Sequence, residues 1–209
     1  MKNKKLINYL CLSGLLCIVF YLLHDVLGAL NYPGYEWMKQ AVSDLTATDS
    51  PSFVIAHGYS AVYGILSCLC CALVCILVKK EKNKLFRIGV YLFAIMNFVS
   101  AIGYSLFPLS SAGYDGTTQS FIHVYVLTIL VVLLSIASLL LIAIGSFKSD
   151  EKGLGICAII ALILMFIGAV GSQNVSKDIF GVVERFSTYS AVIFTGILGI
   201  YGFNVKVKE

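Results

Sequence analysis

Six long apolar runs constrain this chain more than any other feature of its sequence. They cover approximately Leu6–Leu30, Phe53–Val78, Leu85–Leu109, Ser120–Phe147, Leu154–Ser172 and Phe180–Phe203. As an α-helix, each run is long enough to cross a hydrocarbon core about 30 Å thick. Backbone polar groups in lipid must be satisfied within the segment, which favours helices. The runs predict an all-α, polytopic membrane bundle of six transmembrane helices, with residues 1–209 forming a single domain.

The composition excludes several other classes of protein. The chain is 59% hydrophobic and 12% charged, whereas soluble domains carry about 25% charged residues. Its net charge of +4 is not accompanied by a basic face with interleaved aromatic residues, so nucleic acid is not an expected partner. The seven cysteines all fall within apolar runs, and their odd number argues against a disulfide framework.

The basic residues are distributed unequally between the two sides of the predicted bundle. Twelve of them fall at the termini and in or next to the second and fourth connections: Lys2, Lys4, Lys5, Lys79, Lys80, Lys82, Lys84, Arg87, Lys148, Lys152, Lys206 and Lys208. The opposite side has Lys39, Lys177 and Arg185. Because basic residues concentrate on the cytoplasmic side, we expect a multi-pass protein of the cell membrane with both termini in the cytoplasm.

The first connection on the outer side, Asn31–Ser52, has apolar residues at helical spacing. Trp37, Met38, Ala41, Val42 and Leu45 would share one face of a helix. This pattern predicts a short interfacial helix with its aromatic side chains at the level of the lipid headgroups.

Ionisable residues lie at a common depth near the outer ends of four predicted helices. These are His24, His57, His123 and Glu184, with Asp44 in the neighbouring loop. A rise of 1.5 Å per residue places the four residues on helices roughly 5–9 Å below the outer interface. Ionisable groups within a membrane span are costly and mark functional sites by default. We therefore predict that these five residues form a catalytic layer.

The residue types in this layer leave several kinds of chemistry open. Three imidazoles, with Asp44, Asp25 or Glu184, suit a zinc ion that keeps one coordination position open, so His24, His57 and His123 are candidate metal ligands. The sequence has no HxxxH or HExxH spacing, so these ligands would have to meet through tertiary contacts. A proton relay, or polar pairing inside the bundle, would account for the same residues.

Four further residues are candidate ligand-binding groups: Asp25, Tyr104, Asp115 and Arg185. Arg185 would either hold a phosphate or carboxylate group or extend towards the headgroups. Asp25 would orient an imidazole from a neighbouring helix, since adjacent residues of one helix do not face each other. Tyr104 lies on one helical face with Asn97, and Asp115 lies in a glycine-rich loop that either closes over a site or forms a turn.

Several short motifs, in order along the chain, resemble one known family. They are Tyr32-Pro33-Gly34-Tyr35, Val42-Ser43-Asp44-Leu45, Gly103-Tyr104-Ser105-Leu106-Phe107-Pro108, His123 and Val183-Glu184-Arg185. Together they resemble the bacterial family catalogued as domain of unknown function nine-nine-eight. Thr46 stands where that family often has glycine. The resemblance implies a six-helix membrane protein and supplies no established activity.

These features lead to two main hypotheses about function. The first is a membrane-embedded hydrolase or transferase that acts on a lipid or amphiphilic substrate, with a histidine or carboxylate as general base. The second is a non-enzymatic protein that binds, senses or transports a ligand in the same outward-facing pocket. An accessory subunit whose polar layer only locks the helices together is a further alternative. Membrane lipids and an amphiphilic small molecule are the expected partners, and the sequence does not define an oligomeric state.

Overall fold

Six helices long and apolar enough to cross a membrane make up almost all of the fold. The computed structural model describes residues 5–149 and 151–205. The helices are α1 (Leu6–Leu30), α2 (Phe53–Val78), α3 (Lys84–Leu106), α4 (Thr118–Phe147), α5 (Lys152–Gly171) and α6 (Lys177–Asn204). The described residues contain no β-strand. The chain is therefore an all-helical integral membrane protein.

The helices form a closed ring. Each one packs against its neighbour in sequence, α1 packs against α6, and α2 also contacts α6 across the ring. We call the end that carries residues 31–52 the loop end and the opposite end the terminal end. At the terminal end, the side-chain amide of Asn8 donates to the carbonyl oxygens of Gly202 and Val205 at 2.8 and 2.9 Å. These bonds join the first and last helices.

The apolar core fills the terminal half of the ring. Its largest fully buried side chains include Phe86, Phe93, Phe194, Leu139 and Ile142. The rings of Phe93 and Phe194 meet edge to face, with centroids 5.2 Å apart. Packing in this half leaves the loop half of the ring as the place where a cavity can form.

Three local departures from a regular helix lie at the loop end. Helix α3 ends at Leu106 because Phe107 precedes Pro108, and a residue before proline is disfavoured in the helical region. Residues Ile122–Leu127 of α4 form a π-helical segment. In the first connection, turns and a five-residue 3₁₀-helix, Val42–Thr46, replace the predicted interfacial α-helix. Within that connection Val42 and Leu45 are buried, whereas Trp37 and Met38 are exposed.

Candidate functional site

A cavity of about 1280 Å³ occupies the loop half of the ring. Side chains from all six helices line it, together with residues 39–44 and Thr46 of the first connection. Those connection residues cover the loop end, and we call them the roof. The cavity is larger than the usual range for small-molecule pockets, roughly 300–1,000 Å³.

All five residues predicted to be catalytic line this one cavity: His24, His57, His123, Asp44 and Glu184. Tyr104 lines it as well. Asp25, Asp115 and Arg185 are not among the lining residues. The fold thus separates the nine candidate residues into a set that faces the cavity and a set that lies outside it.

Arg185 and Asp25 form a buried ion pair between α6 and α1. The Nε and Nη2 groups of Arg185 donate to Asp25 Oδ2 and Oδ1 at 2.9 and 2.8 Å, and the hydroxyl of Tyr189 donates to Oδ2 at 2.9 Å. Arg185 is 3% exposed and Asp25 is 1% exposed. A bidentate pair of this kind uses the planar geometry of both groups.

The remaining donors of Arg185 hold the first connection against α6. Nη1 donates to the carbonyl oxygens of Trp37, Gln40 and Gly181 at 2.9–3.1 Å, and Nη2 donates to the Tyr35 hydroxyl at 2.8 Å. The guanidinium carbon also lies 4.4 Å from the centre of the Trp37 ring. An arginine side chain has five N–H groups, and all of those in Arg185 are engaged. In this structure Arg185 fixes the first connection, including Gln40 of the roof, and has no donor left for a ligand.

The sequence did not indicate the partners Tyr35, Trp37 and Tyr189 of this network. Their polar atoms meet Asp25 and Arg185 only because α1 and α6 close the ring. The expected partner of Asp25 was an imidazole, and the structure gives it a guanidinium instead.

Two of the cavity histidines are held by backbone carbonyl groups. His24 Nδ1 lies 3.0 Å from the carbonyl oxygen of Ala56, and His123 Nδ1 lies 2.7 Å from that of Phe107. A carbonyl oxygen can only accept a hydrogen bond, so Nδ1 of each ring must carry the proton. In a neutral ring Nε2 is then a hydrogen-bond acceptor.

The third histidine and Glu184 have fewer contacts. His57 is exposed, is one of the residues that line the cavity, and stacks on Phe53 with ring centroids 5.0 Å apart. The Glu184 carboxylate accepts one long bond, 3.4 Å, from the backbone N–H of Val42 in the roof. Both side chains therefore keep capacity to bind or to accept a proton.

Asp44 connects the roof to the loop between α3 and α4. Its Oδ1 accepts a 2.9 Å hydrogen bond from the backbone N–H of Gly113. The backbone at Gly113 has φ +76°, a conformation that favours glycine. Burial raises the pKa of the Asp44 carboxyl, and the bond from Gly113 partly offsets that rise. Asp44 thus combines a structural contact with a place in the cavity wall.

Asp115 lies outside the cavity and stabilises its own loop. Its Oδ1 accepts from the backbone N–H and the hydroxyl of Thr117 at 3.0 and 2.7 Å. These bonds lower the pKa of the Asp115 carboxyl. Of the two alternatives for this glycine-rich loop, the contacts of Asp115 are those of a turn.

Tyr104 and His123 form one wall of the cavity beside the π-helical segment. Their ring centroids are 4.6 Å apart, and the Tyr104 hydroxyl lies 3.1 Å from that of Thr128. The Thr128 hydroxyl donates to the carbonyl oxygen of His123 at 2.9 Å. Single π-helical turns are frequent at functional sites, and this one positions an imidazole in the cavity wall.

The histidines do not form a metal centre with one another. Within residues 5–149 and 151–205, no group of three or more His, Cys, Asp or Glu side chains lies close enough together to hold a metal ion. His24, His57 and His123 share the cavity, but His24 is bound to a carbonyl group of α2 and His123 to the carbonyl group of Phe107, just after α3. This arrangement does not fit the zinc ligand set expected from the sequence.

Comparison with protein families identifies the class of this chain. Residues 15–201 match the model of the family described as protein of unknown function (DUF998). The chain belongs to that family, as the motifs around Asp44, Tyr104, His123 and Glu184 indicated. No curated protein and no solved structure matches it significantly.

Proposed function

We propose that this membrane protein binds an amphiphilic small molecule in the cavity of its loop half. The observation that carries the proposal is the distribution of polar groups along the cavity. Histidine and carboxyl groups line it at the loop end, and Gly64, Ala101, Met165 and Val192 line it towards the middle of the bundle. A polar headgroup and a hydrocarbon chain would each find a matching environment.

The same cavity reaches the lipid-facing surface of the ring. Ile65 on α2, Ile102 on α3, and Ile129 and Leu133 on α4 line it, yet each is more than half exposed. In a membrane, exposed apolar side chains of a spanning helix face lipid. A molecule dissolved in the bilayer would therefore enter sideways between helices without passing through water.

A cavity-filling substitution tests this proposal. Ala61 and the next residue, Val62, are both exposed, but only Ala61 lines the cavity. Ala61→Trp should abolish saturable labelling of the full-length chain in lipid nanodiscs by a dodecyl amphiphile with a photoactivatable chain. Val62→Trp introduces the same tryptophan side chain at a position that does not line the cavity, so it should leave the labelling unchanged. Labelling that does not saturate, or that is equal in the two variants, would contradict the proposal.

A chemical step on the bound molecule is a second candidate function, which the free capacity of His57 and Glu184 favours. Either group would remove a proton from water as the water attacks an ester carbonyl, with release of an acid and an alcohol. Hydrolysis of a dodecanoate ester should then fall at least about a hundredfold in Glu184→Gln or His57→Ala, since a general base contributes roughly 10²–10⁴. The control is Asp49→Asn, which changes an exposed carboxyl group in the first connection, outside the set of residues that line the cavity. If the parent chain does not hydrolyse the ester, the catalytic candidate is wrong and only the binding function remains.

We also propose that the loop end faces outward and that both termini lie in the cytoplasm. The described connections at the terminal end carry Lys79, Lys80, Lys82 and Lys148, and this excess is typical of the cytoplasmic side. A fluorescent protein fused after residue 209 should fluoresce in cells. A protease site inserted between Gly113 and Gly116 should be cut by protease added outside the cell. Protection of that site would show that the protein has the opposite orientation.

A further inference from the structure

We infer that the headgroup of the bound amphiphile is a hydrogen-bond donor with a positive charge, which makes the ligand a protonated long-chain amine. This inference rests on the proposed binding function and specifies the class of ligand. It follows from the kinds of polar atoms that the cavity offers.

The two histidines fixed by carbonyl groups offer acceptors. Because Nδ1 of His24 and of His123 faces a carbonyl oxygen, the proton is fixed on that nitrogen. Nε2 of each neutral ring then has a lone pair. A ligand that meets these rings at Nε2 must bring its own N–H or O–H group.

The two carboxyl groups of the cavity add further acceptors. Glu184 has one long backbone contact, and Asp44 is bonded to a backbone N–H at 2.9 Å. Neither carboxyl forms an ion pair within the described residues. An ammonium group would form the ion pair that neither carboxyl group has among the described residues.

The cations nearest to the cavity are already engaged. Arg185 is paired with Asp25, and all of its N–H groups have acceptors. Lys39 is at the edge of the roof and forms a 2.8 Å ion pair with the exposed carboxylate of Glu36. A phosphate or carboxylate headgroup would therefore face hydrogen-bond acceptors and would find neither Arg185 nor Lys39 available as a donor. This arrangement disfavours an anionic amphiphile.

Aromatic rings beside the histidines suit the same kind of headgroup. Tyr21 and Tyr63 line the cavity with ring centroids 4.9 Å apart, and Tyr21 lies 5.4 Å from the His24 ring. Tyr104 also lines the cavity, next to His123. Cations are attracted to the faces of aromatic rings, so the tyrosines add to the preference for an amine.

Competition among three amphiphiles that share one chain length tests the inference. Dodecylamine, dodecanol and dodecyl phosphate would each compete with the photoactivatable dodecyl probe on the full-length chain in nanodiscs. Dodecylamine should compete at about tenfold lower concentration than dodecanol, since a charge-assisted hydrogen bond contributes about 1.5 kcal/mol or more. Dodecyl phosphate should be the weakest competitor.

The carboxyl variants show whether the preference comes from this site. Glu184→Gln keeps the size of the side chain and removes its charge, so the advantage of dodecylamine over dodecanol should fall to about threefold or less. Asp49→Asn should retain the full advantage. An equal advantage in Glu184→Gln and the parent chain, or stronger competition by dodecyl phosphate, would overturn the inference.

The two proposals fail in different ways. If dodecanol and dodecylamine compete equally and Ala61→Trp removes probe labelling, the cavity binds amphiphiles without selecting amines. If no probe labelling is sensitive to Ala61→Trp, the binding function itself is wrong and the amine class falls with it.

Discussion

Arg185→Leu should lower the free energy of unfolding of the detergent-solubilised chain by about 3–5 kcal/mol. The substitution leaves the carboxylate of Asp25 buried without its cation, and breaking a buried pair in this way typically costs that much. It also removes the donors that hold the carbonyl oxygens of Trp37 and Gln40. We therefore expect the connection 31–52 to become sensitive to added protease at temperatures where the parent chain resists it.

Two comparisons separate this effect from the general loss of a basic residue. Lys177→Leu removes an exposed cation at the same end of the bundle and should cost less than about 0.5 kcal/mol. The double variant Asp25→Leu, Arg185→Leu should recover part of the lost stability, because no uncompensated charge remains. A loss in Arg185→Leu no larger than that in Lys177→Leu would show that the ion pair does not hold the roof in place.

Gly145→Ala and Gly168→Ala should each destabilise the bundle by about 1–3 kcal/mol, the usual cost of overpacking a core. A Cβ atom at position 145 would collide with the backbone of Phe86, and one at position 168 would collide with the backbone of Ser187. Backbone cannot move aside as a flexible side chain can. The pairs α3–α4 and α5–α6 would therefore have to separate.

Gly58→Ala provides the matched control for these substitutions. A Cβ atom at position 58 would meet nothing within 4 Å, and alanine is favoured over glycine within a helix by about 0.5–1 kcal/mol. Thermal unfolding of the three variants would be measured in the same detergent. The midpoint temperature should fall for the variants at positions 145 and 168 and stay the same or rise for the variant at position 58. A midpoint unchanged by Gly168→Ala would contradict the close approach of α5 to α6.

The six spans could be predicted from sequence because the length and hydropathy of a segment decide whether it can cross a bilayer. The common depth of His24, His57, His123 and Glu184 could be predicted for a related reason. The rise per residue fixes how far each lies from the end of its own helix. The predicted run extends to Leu109, whereas α3 ends at Leu106, two residues before the proline at position 108.

The pairing of Asp25 with Arg185 could not be predicted, because 160 residues separate them and no local pattern connects α1 to α6. Their burial depends on closure of the ring. The contact of His123 with the Phe107 carbonyl oxygen had a usable signal, since the last carbonyl groups of a helix lack intrahelical partners. A polar side chain at the start of the next helix is well placed to bind one.

The presence of a cavity is likewise a property of the packed ring rather than of any one helix. Small residues let two helices approach closely, as Gly64 of α2 and Ala101 of α3 do. The same small residues also line the open space. Whether such residues permit contact or leave a void depends on the separation of the helices, which the hydropathy pattern does not contain.

The central claim is that the loop half of the ring holds the chain of an amphiphile, and bromine provides the most direct measurement. A crystal structure of the protein with dodecylamine brominated at the end of its chain should give an anomalous peak among Gly64, Ala101 and Val192. The amine should lie near Glu184. Bromine peaks confined to the lipid-facing surface, with none inside the ring, would contradict the claim.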